Sequence, residues 1–137
     1  MKRFLKIFST LHTATYRATG GKVWKRMYGV PILLLTTRGR KSGKLRTKPL
    51  MYGRDGDGLV LVGSNGGAPY QPDWYWNLQG QDAEVQIGSE RRRVRAREAE
   101  AEERVRLWAE MIALFPKFEE YQKMTTRRIP VVVLEPL

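Results

Sequence analysis

The sequence contains no cysteine, and its one histidine is His12. Without cysteine there are no disulfides, thiol nucleophiles or thiolate-held metals, and nothing records the redox state of the compartment. A single histidine excludes a histidine metal cluster and a Ser-His-Asp triad. Acid is scarce as well: 14 Asp and Glu stand against 25 Lys and Arg, giving a net charge of +11. No paired carboxylates sit in a pocket motif suited to acid–base hydrolysis. Nowhere do ~18 apolar residues run uninterrupted, so no bilayer-spanning helix is expected. With no metal set and no activated nucleophile, an enzyme built on this chain would have to borrow its chemistry from a bound cofactor.

What remains is enough for one core. The 137 residues, 42% of them hydrophobic, suit a single domain. The excess of cations favours an anionic partner: a polyanionic cofactor, nucleic acid or an acidic membrane surface. Residues 1–24 form an N-terminal part of that domain and read as an amphipathic helix, with Phe4, Leu5, Phe8, Leu11, His12 and Tyr16 at helical spacing. Lys6 interrupts its apolar face and no small-residue cleavage site follows, so a secretory signal is not expected. The helix either packs on the domain or lies on an anionic membrane as a peripheral anchor. Strands are expected over residues 30–37, 45–53, 58–63, 83–87, 91–97 and 129–134, with 45–53 pairing with 58–63 across the Asp55-Gly56-Asp57-Gly58 turn. A helix is expected over residues 100–114, with Val105, Leu107, Trp108, Met111 and Ile112 as its inner face, and a further helical turn leads to Tyr121. Arg91, Arg93, Arg95 and Arg97 fall on one strand face, which reads as a solvated face softened by acids in 98–103.

The segment 36–78 carries the functional signal. Six of the eleven residues from 38 to 48 are cationic, and Gly39 and Gly43 allow a turn that forms an anion nest. The spacing is not that of a nucleotide P-loop, since three residues separate these glycines and Leu45 follows Lys44. Further on, Ser64-Asn65-Gly66-Gly67 follows an apolar strand, and the glycines leave room for a ligand against the main chain. Pro72 and the N-cap-type Asp73 then open a short helix bearing Trp74, Tyr75 and Trp76, which could supply ring faces although any single one of them reads more readily as a core plug. The parts describe a site for a ligand with anionic groups at one end and a flat ring at the other.

The strings Leu34-Leu35-Thr36-Thr37-Arg38-Gly39-Arg40-Lys41-Ser42-Gly43, Arg46 to Leu50, Ser64-Asn65-Gly66-Gly67, Trp74-Tyr75-Trp76-Asn77-Leu78 and the closing Thr126-Arg127-Arg128-Ile129-Pro130-Val131-Val132-Val133-Leu134-Glu135-Pro136 resemble the deazaflavin-dependent nitroreductase family of F420-dependent oxidoreductases, over roughly residues 30–136. The resemblance implies an α+β fold, a split β-barrel of the FMN-binding type with flanking helices over residues 25–137, and coenzyme F420 as cofactor, with FMN as runner-up. F420 carries a phosphate and a poly-γ-glutamate tail that FMN lacks. The resemblance places Arg40, Lys41 and Ser42 at the phosphate and tail, with Arg46, Thr47, Lys48, Pro49, Leu50 and Met51 on the adjoining strand. It places Val62, Gly63, Ser64 and Asn65, with Asp73, Trp74, Tyr75, Trp76 and Asn77, around the deazaflavin.

The implied reaction is hydride transfer from C5 of reduced F420 to an apolar acceptor such as a quinone or activated alkene. Ser64 or Tyr121, or water, helps deliver a proton. Where nitroimidazole-reducing members have three tyrosines at the substrate pocket, this chain has Phe115, Phe118 and Tyr121. Two phenolic donors are missing, so nitroreduction is expected to be weak. A cytoplasmic protein, peripheral on the inner face of the membrane if the first helix binds lipid, is the matching expectation. Rival readings are a non-catalytic binder of F420 or an apolar ligand on the same fold, and a basic nucleic-acid-binding domain, for which no recognition motif is present. Oligomeric state is not legible.

Overall fold

A computed structural model describes residues 26, 27 and 29–137; the helix expected over residues 1–24, and His12 with it, lies outside the described residues. The order is β1 (Arg26–Met27), β2 (Val30–Arg38), β3 (Leu45–Met51), β4 (Gly53–Asp55), β5 (Gly58–Val62), α1 (Asp73–Asn77), β6 (Asp82–Ile87), β7 (Glu90–Glu98), α2 (Ala101–Leu114), α3 (Lys117–Lys123) and β8 (Val131–Pro136). A 3₁₀ turn, Asn65–Gly67, follows β5.

All pairings are antiparallel, and they run in a ring: β2 with β6, β6 with β7, β7 with β8, β8 with β5 and β5 with β4. β4 is joined through Tyr52 to β3, which pairs with β2, so one bent strand serves both sides of the closure. The Tyr52 N–H donates to the Pro31 carbonyl (3.2 Å), which carries the β2–β3 ladder to the bend. The pairing expected between residues 45–53 and 58–63 is thereby corrected. Leu45–Met51 pairs with β2 across the basic turn, and only Gly53–Asp55 reaches β5. A tight Asp-Gly turn holds strands together only close to itself, and the bend at Tyr52 takes the rest of the strand to another neighbour.

Strand alternation divides the core into two layers. Leu33 and Leu35 of β2, Leu59 and Leu61 of β5, Val85, Val94, Val132 and Leu134 fill the barrel, closed at one end by Trp74 and Leu78. The opposite faces of β5 and β8, with Val60, Val62, Val131 and Val133, bury against Leu107 and Met111 of α2, Phe115, and Phe118 of α3. Both faces of these strands are covered, which is why they read as unbroken apolar runs. Val105 departs from the expected inner face: it is 71% exposed, because the buried stripe of α2 runs through Leu107 and Met111.

The arginine row behaves as a paired solvent face. Arg91 meets Glu84, Arg93 and Arg95 meet Asp82, and Arg97 meets Glu103 and Glu135. Only Glu103 of these acids lies in the 98–103 stretch; the others come from the neighbouring strands β6 and β8.

Candidate active site

Antiparallel order brings the ends of β2, β5 and β7 and the starts of β3, β6 and β8 to one end of the barrel. The turn 39–44, the loop 63–72 and α1 are all attached there, so segments 20 to 40 residues apart in sequence share one rim.

β3 is the open edge. It pairs with β2, and among the described residues it has no second strand partner. In the β2–β3 register Arg46, Lys48 and Leu50 stand opposite Thr37, Leu35 and Leu33, whose side chains point into the barrel. Opposed residues project to the same face, so Arg46 and Lys48 lie on the inward face yet remain exposed. The barrel is therefore split along β3, with cations on the lip. Thr47, Pro49 and Met51 project the other way: the Thr47 and Thr36 hydroxyls are 2.8 Å apart, and Met51 packs on Ile32 and Leu34. Of the six β3 residues expected at the cofactor, three face the split.

The basic turn is held by its own backbone. Gly39 N–H donates to Lys44 O (2.7 Å), Gly43 N–H to Gly39 O (2.9 Å) and Lys44 N–H to Ser42 Oγ (3.2 Å). Arg40 N–H donates to Asn77 Oδ1 (3.1 Å), and the Asn77 amide donates to Thr37 Oγ1 (3.3 Å). These bonds take up the main-chain donors of Gly39, Arg40, Gly43 and Lys44, while those of Lys41 and Ser42 have no acceptor among the described residues and remain available, with the side chains, to an anion. Arg40, Lys41 and Lys44 are exposed. Among the described residues no carboxylate pairs with Arg40, Lys41, Lys44, Arg46 or Lys48, whereas every arginine of the β7 row from 91 to 97 has one.

α1 separates three aromatics by role. Trp74 is core and Tyr75 donates its hydroxyl to Glu98 Oε1 (2.6 Å). Burial and that carboxylate push the Tyr75 phenol up to about 12. Trp76 is 44% exposed, with the Arg40 guanidinium 5.7 Å from its ring centroid. Of the three, Trp76 is the exposed ring. Asp73 is the first helical residue, after Pro72, and makes no capping bond, so its expected N-cap role is corrected.

The loop after β5 turns sharply. Ser64 is right-handed helical and Asn65 left-handed (φ 47°), a pair that aims successive N–H groups to one concave side. Ser64 is 8% exposed, and its hydroxyl has no hydrogen-bond partner among the described residues. A buried hydroxyl without a protein partner is costly and is left free to bond water or a ligand atom. Gly66 leaves open space where a Cβ would stand, as expected, but Gly67 does not: its Cβ would meet Met124 Cβ at 3.0 Å and Tyr121 O at 3.1 Å. Gly67 admits α3, not a ligand.

Tyr121 is half-buried, and its hydroxyl has no partner among the described residues. It packs on the layer that holds Phe115 and Phe118, two buried rings in edge-to-face contact with centroids 5.0 Å apart. These phenylalanines are buried in the layer that backs Tyr121.

A sequence model described as F420H(2)-dependent quinone reductase matches residues 8–136. The chain belongs to the F420H(2)-dependent quinone reductase family. It is 41% identical over 129 residues to the F420H(2)-dependent quinone reductase Rv1261c of Mycobacterium tuberculosis, covering 90% of this chain and 87% of that one. The solved F420-H2 dependent reductase FDR-A is 41% identical, with a TM-score of 0.70 over 77% of this chain and 94% of its own. A solved structure described as a domain-swapped dimer is 36% identical, with a TM-score of 0.74 over 98% of each chain. The heme storage protein HutZ of Vibrio cholerae, 12% identical with a TM-score of 0.57 over 77% of this chain and 81% of its own, shares the fold alone.

Sequence reasoning placed Arg127 in the closing string of the family resemblance but gave it no role at the site. Its guanidinium donates to Ala68 O (2.9 Å), Gly63 O (3.2 Å), Ser64 O (2.9 Å) and Gln71 Oε1 (2.7 Å). Burial lowers its pKa from the ordinary arginine value. Nothing in the local sequence 125–128 signals this reach across the fold.

Proposed function

We propose that this chain is an F420-dependent reductase that passes a hydride from reduced F420 to an apolar quinone-type acceptor. The observation that carries the reading is the lip of the split: Arg40, Lys41, Lys44, Arg46 and Lys48 have no carboxylate partner among the described residues, beside a buried Ser64 hydroxyl that lacks one too. A ligand that is polyanionic at one end and hydrogen-bonding at the other satisfies both. The residues present therefore fit F420, and FMN, without a glutamate tail, leaves most of the lip unused.

Reduced F420, when bound, supplies the hydride; the protein binds, orients and excludes water. Arg40, Lys41, Ser42, Arg46 and Lys48 hold phosphate and γ-carboxylates, as point charges and donors on a rim kept in place by Asn77. Val62, Gly63, Ser64 and Asn65 border the ring from one side, and the exposed face of Trp76 borders the approach from α1. Reduction of a quinone to the quinol takes the hydride and one proton, which the Tyr121 or Ser64 hydroxyl relays from water to the acceptor oxygen. Phe115 and Phe118 keep that side dry, which suits an apolar quinone and disfavours a nitro group that wants more donors. Among the described residues no helix is long and apolar enough to cross a membrane. A net charge of +11 attracts the chain to an anionic lipid surface, where apolar quinones are found.

The test is anaerobic mixing of the chain with F420H2 and a soluble naphthoquinone, read by the recovery of oxidised-cofactor absorbance. Turnover that falls in Lys41→Ala and Arg46→Ala supports the reading. No turnover with any quinone, or turnover in both variants equal to that of wild type, refutes it.

A further inference from the structure

Asn65, Gly66 and Gly67 all have positive φ, at 47°, 63° and 83°. Three successive left-handed residues, one of them not glycine, are an unfavourable path for a loop. Internal bonds are few: Gly67 N–H to Ser64 O, Ala68 N–H to Asn65 O, and Asn65 Nδ2 to Tyr70 O. Arg127 supplies the rest, joining the carbonyls of residues 63, 64 and 68 and the side chain of Gln71 through one planar fork. Gln122 fixes the segment that carries it, donating to Arg127 O (2.8 Å) and accepting from Ile129 N–H (2.9 Å). Among the described residues Arg127 has no carboxylate partner, so its full donor capacity is spent on main-chain and amide oxygens.

Resting on the function proposed above, we infer that Arg127 is a positioning residue for the reaction: it clamps loop 63–71 so that the Ser64 hydroxyl and the adjoining N–H groups are held toward the cofactor ring. It touches neither cofactor nor acceptor. An arginine is required because only a guanidinium presents five donors in a plane; a lysine ammonium cannot span acceptors on three stretches of loop.

The experiment compares wild type, Arg127→Lys and Arg127→Ala at a temperature where circular dichroism shows each to be folded. F420 affinity is read by cofactor fluorescence and the hydride step by single-turnover mixing at saturating F420H2 and quinone. The clamp predicts F420 affinity weakened several-fold in both variants and a single-turnover rate lower by on the order of tenfold or more even at saturation, the effect expected of a misplaced reacting geometry. Millimolar guanidinium should restore part of the rate to Arg127→Ala and none to Arg127→Lys. Should the Ala variant not fold, Arg127→Lys decides alone. Folded variants with affinity and single-turnover rate within twofold of wild type overturn the inference. Failure of wild type itself to bind F420 overturns the proposed function, and this inference with it.

Discussion

Replacing Asn77 by alanine removes the tie between the basic turn and the barrel. Two bonds are lost, one to the Arg40 N–H and one to Thr37 Oγ1, and Thr37 is only 3% exposed. The Arg40 amide is at the rim and regains water, so its bond is worth about 1 kcal/mol net, while the stranded Thr37 hydroxyl costs about 1–2 kcal/mol. The sum is roughly 2–3 kcal/mol. At about 2.1 cal/mol/K per residue, a chain of 137 residues loses roughly 3–4 °C of Tm per kcal/mol, so melting should fall by roughly 7–10 °C. F420 affinity should fall in the same variant, because the cations of residues 40–44 are no longer held over the split. Thermal denaturation and F420 titration below the melting range read the two effects separately. A Tm within about 1 °C of wild type, or a destabilised variant with unchanged affinity, refutes the reasoning that the turn is positioned through Asn77.

Glycine substitutions should separate strain from crowding. Gly66→Ala meets only the cost of a left-handed residue, about 1 kcal/mol, whereas Gly67→Ala adds the collision with Met124 and should cost roughly 2–4 kcal/mol by urea denaturation. The Tyr75 phenol is raised in the fold from 10.0 to about 12, so the folded state holds its proton longer than the unfolded state. The stabilisation is fully present below pH 10 and is lost as pH rises toward 12; Tyr75→Phe should flatten that part of the stability profile relative to wild type. Lys41→Ala should weaken F420 several-fold at low salt, on the scale of about 0.3–1 kcal/mol for an exposed charge contact, and the difference should shrink as salt rises. A difference independent of salt would mean that Lys41 acts by packing.

Much of the fold was legible because its strands are buried on both faces. Runs such as 30–37 and 58–63 announce themselves by composition alone. The partner of 45–53 was not legible, because a local turn signal at Asp55-Gly56 competes with a distant edge, and the bend at Tyr52 leaves no mark in the alternation. Val105 was misplaced for a related reason: in a half-apolar helix the stripe can be drawn through either of two neighbouring positions, and only the sheet it packs on decides. At the site, charge and motif order picked out segments that the fold gathers on one rim, but not which of their side chains are consumed by the protein. Asn77, Trp74 and Tyr75 carry the motif and spend themselves on architecture, and Arg127 acts from 56 to 64 residues away.

The most direct test is fluorescence titration of the purified chain with F420 and, separately, with FMN. The account predicts micromolar or tighter binding of F420, weakened by Lys41→Ala and unmatched by FMN. Absence of F420 binding at low salt, or equal affinity for FMN, would contradict it.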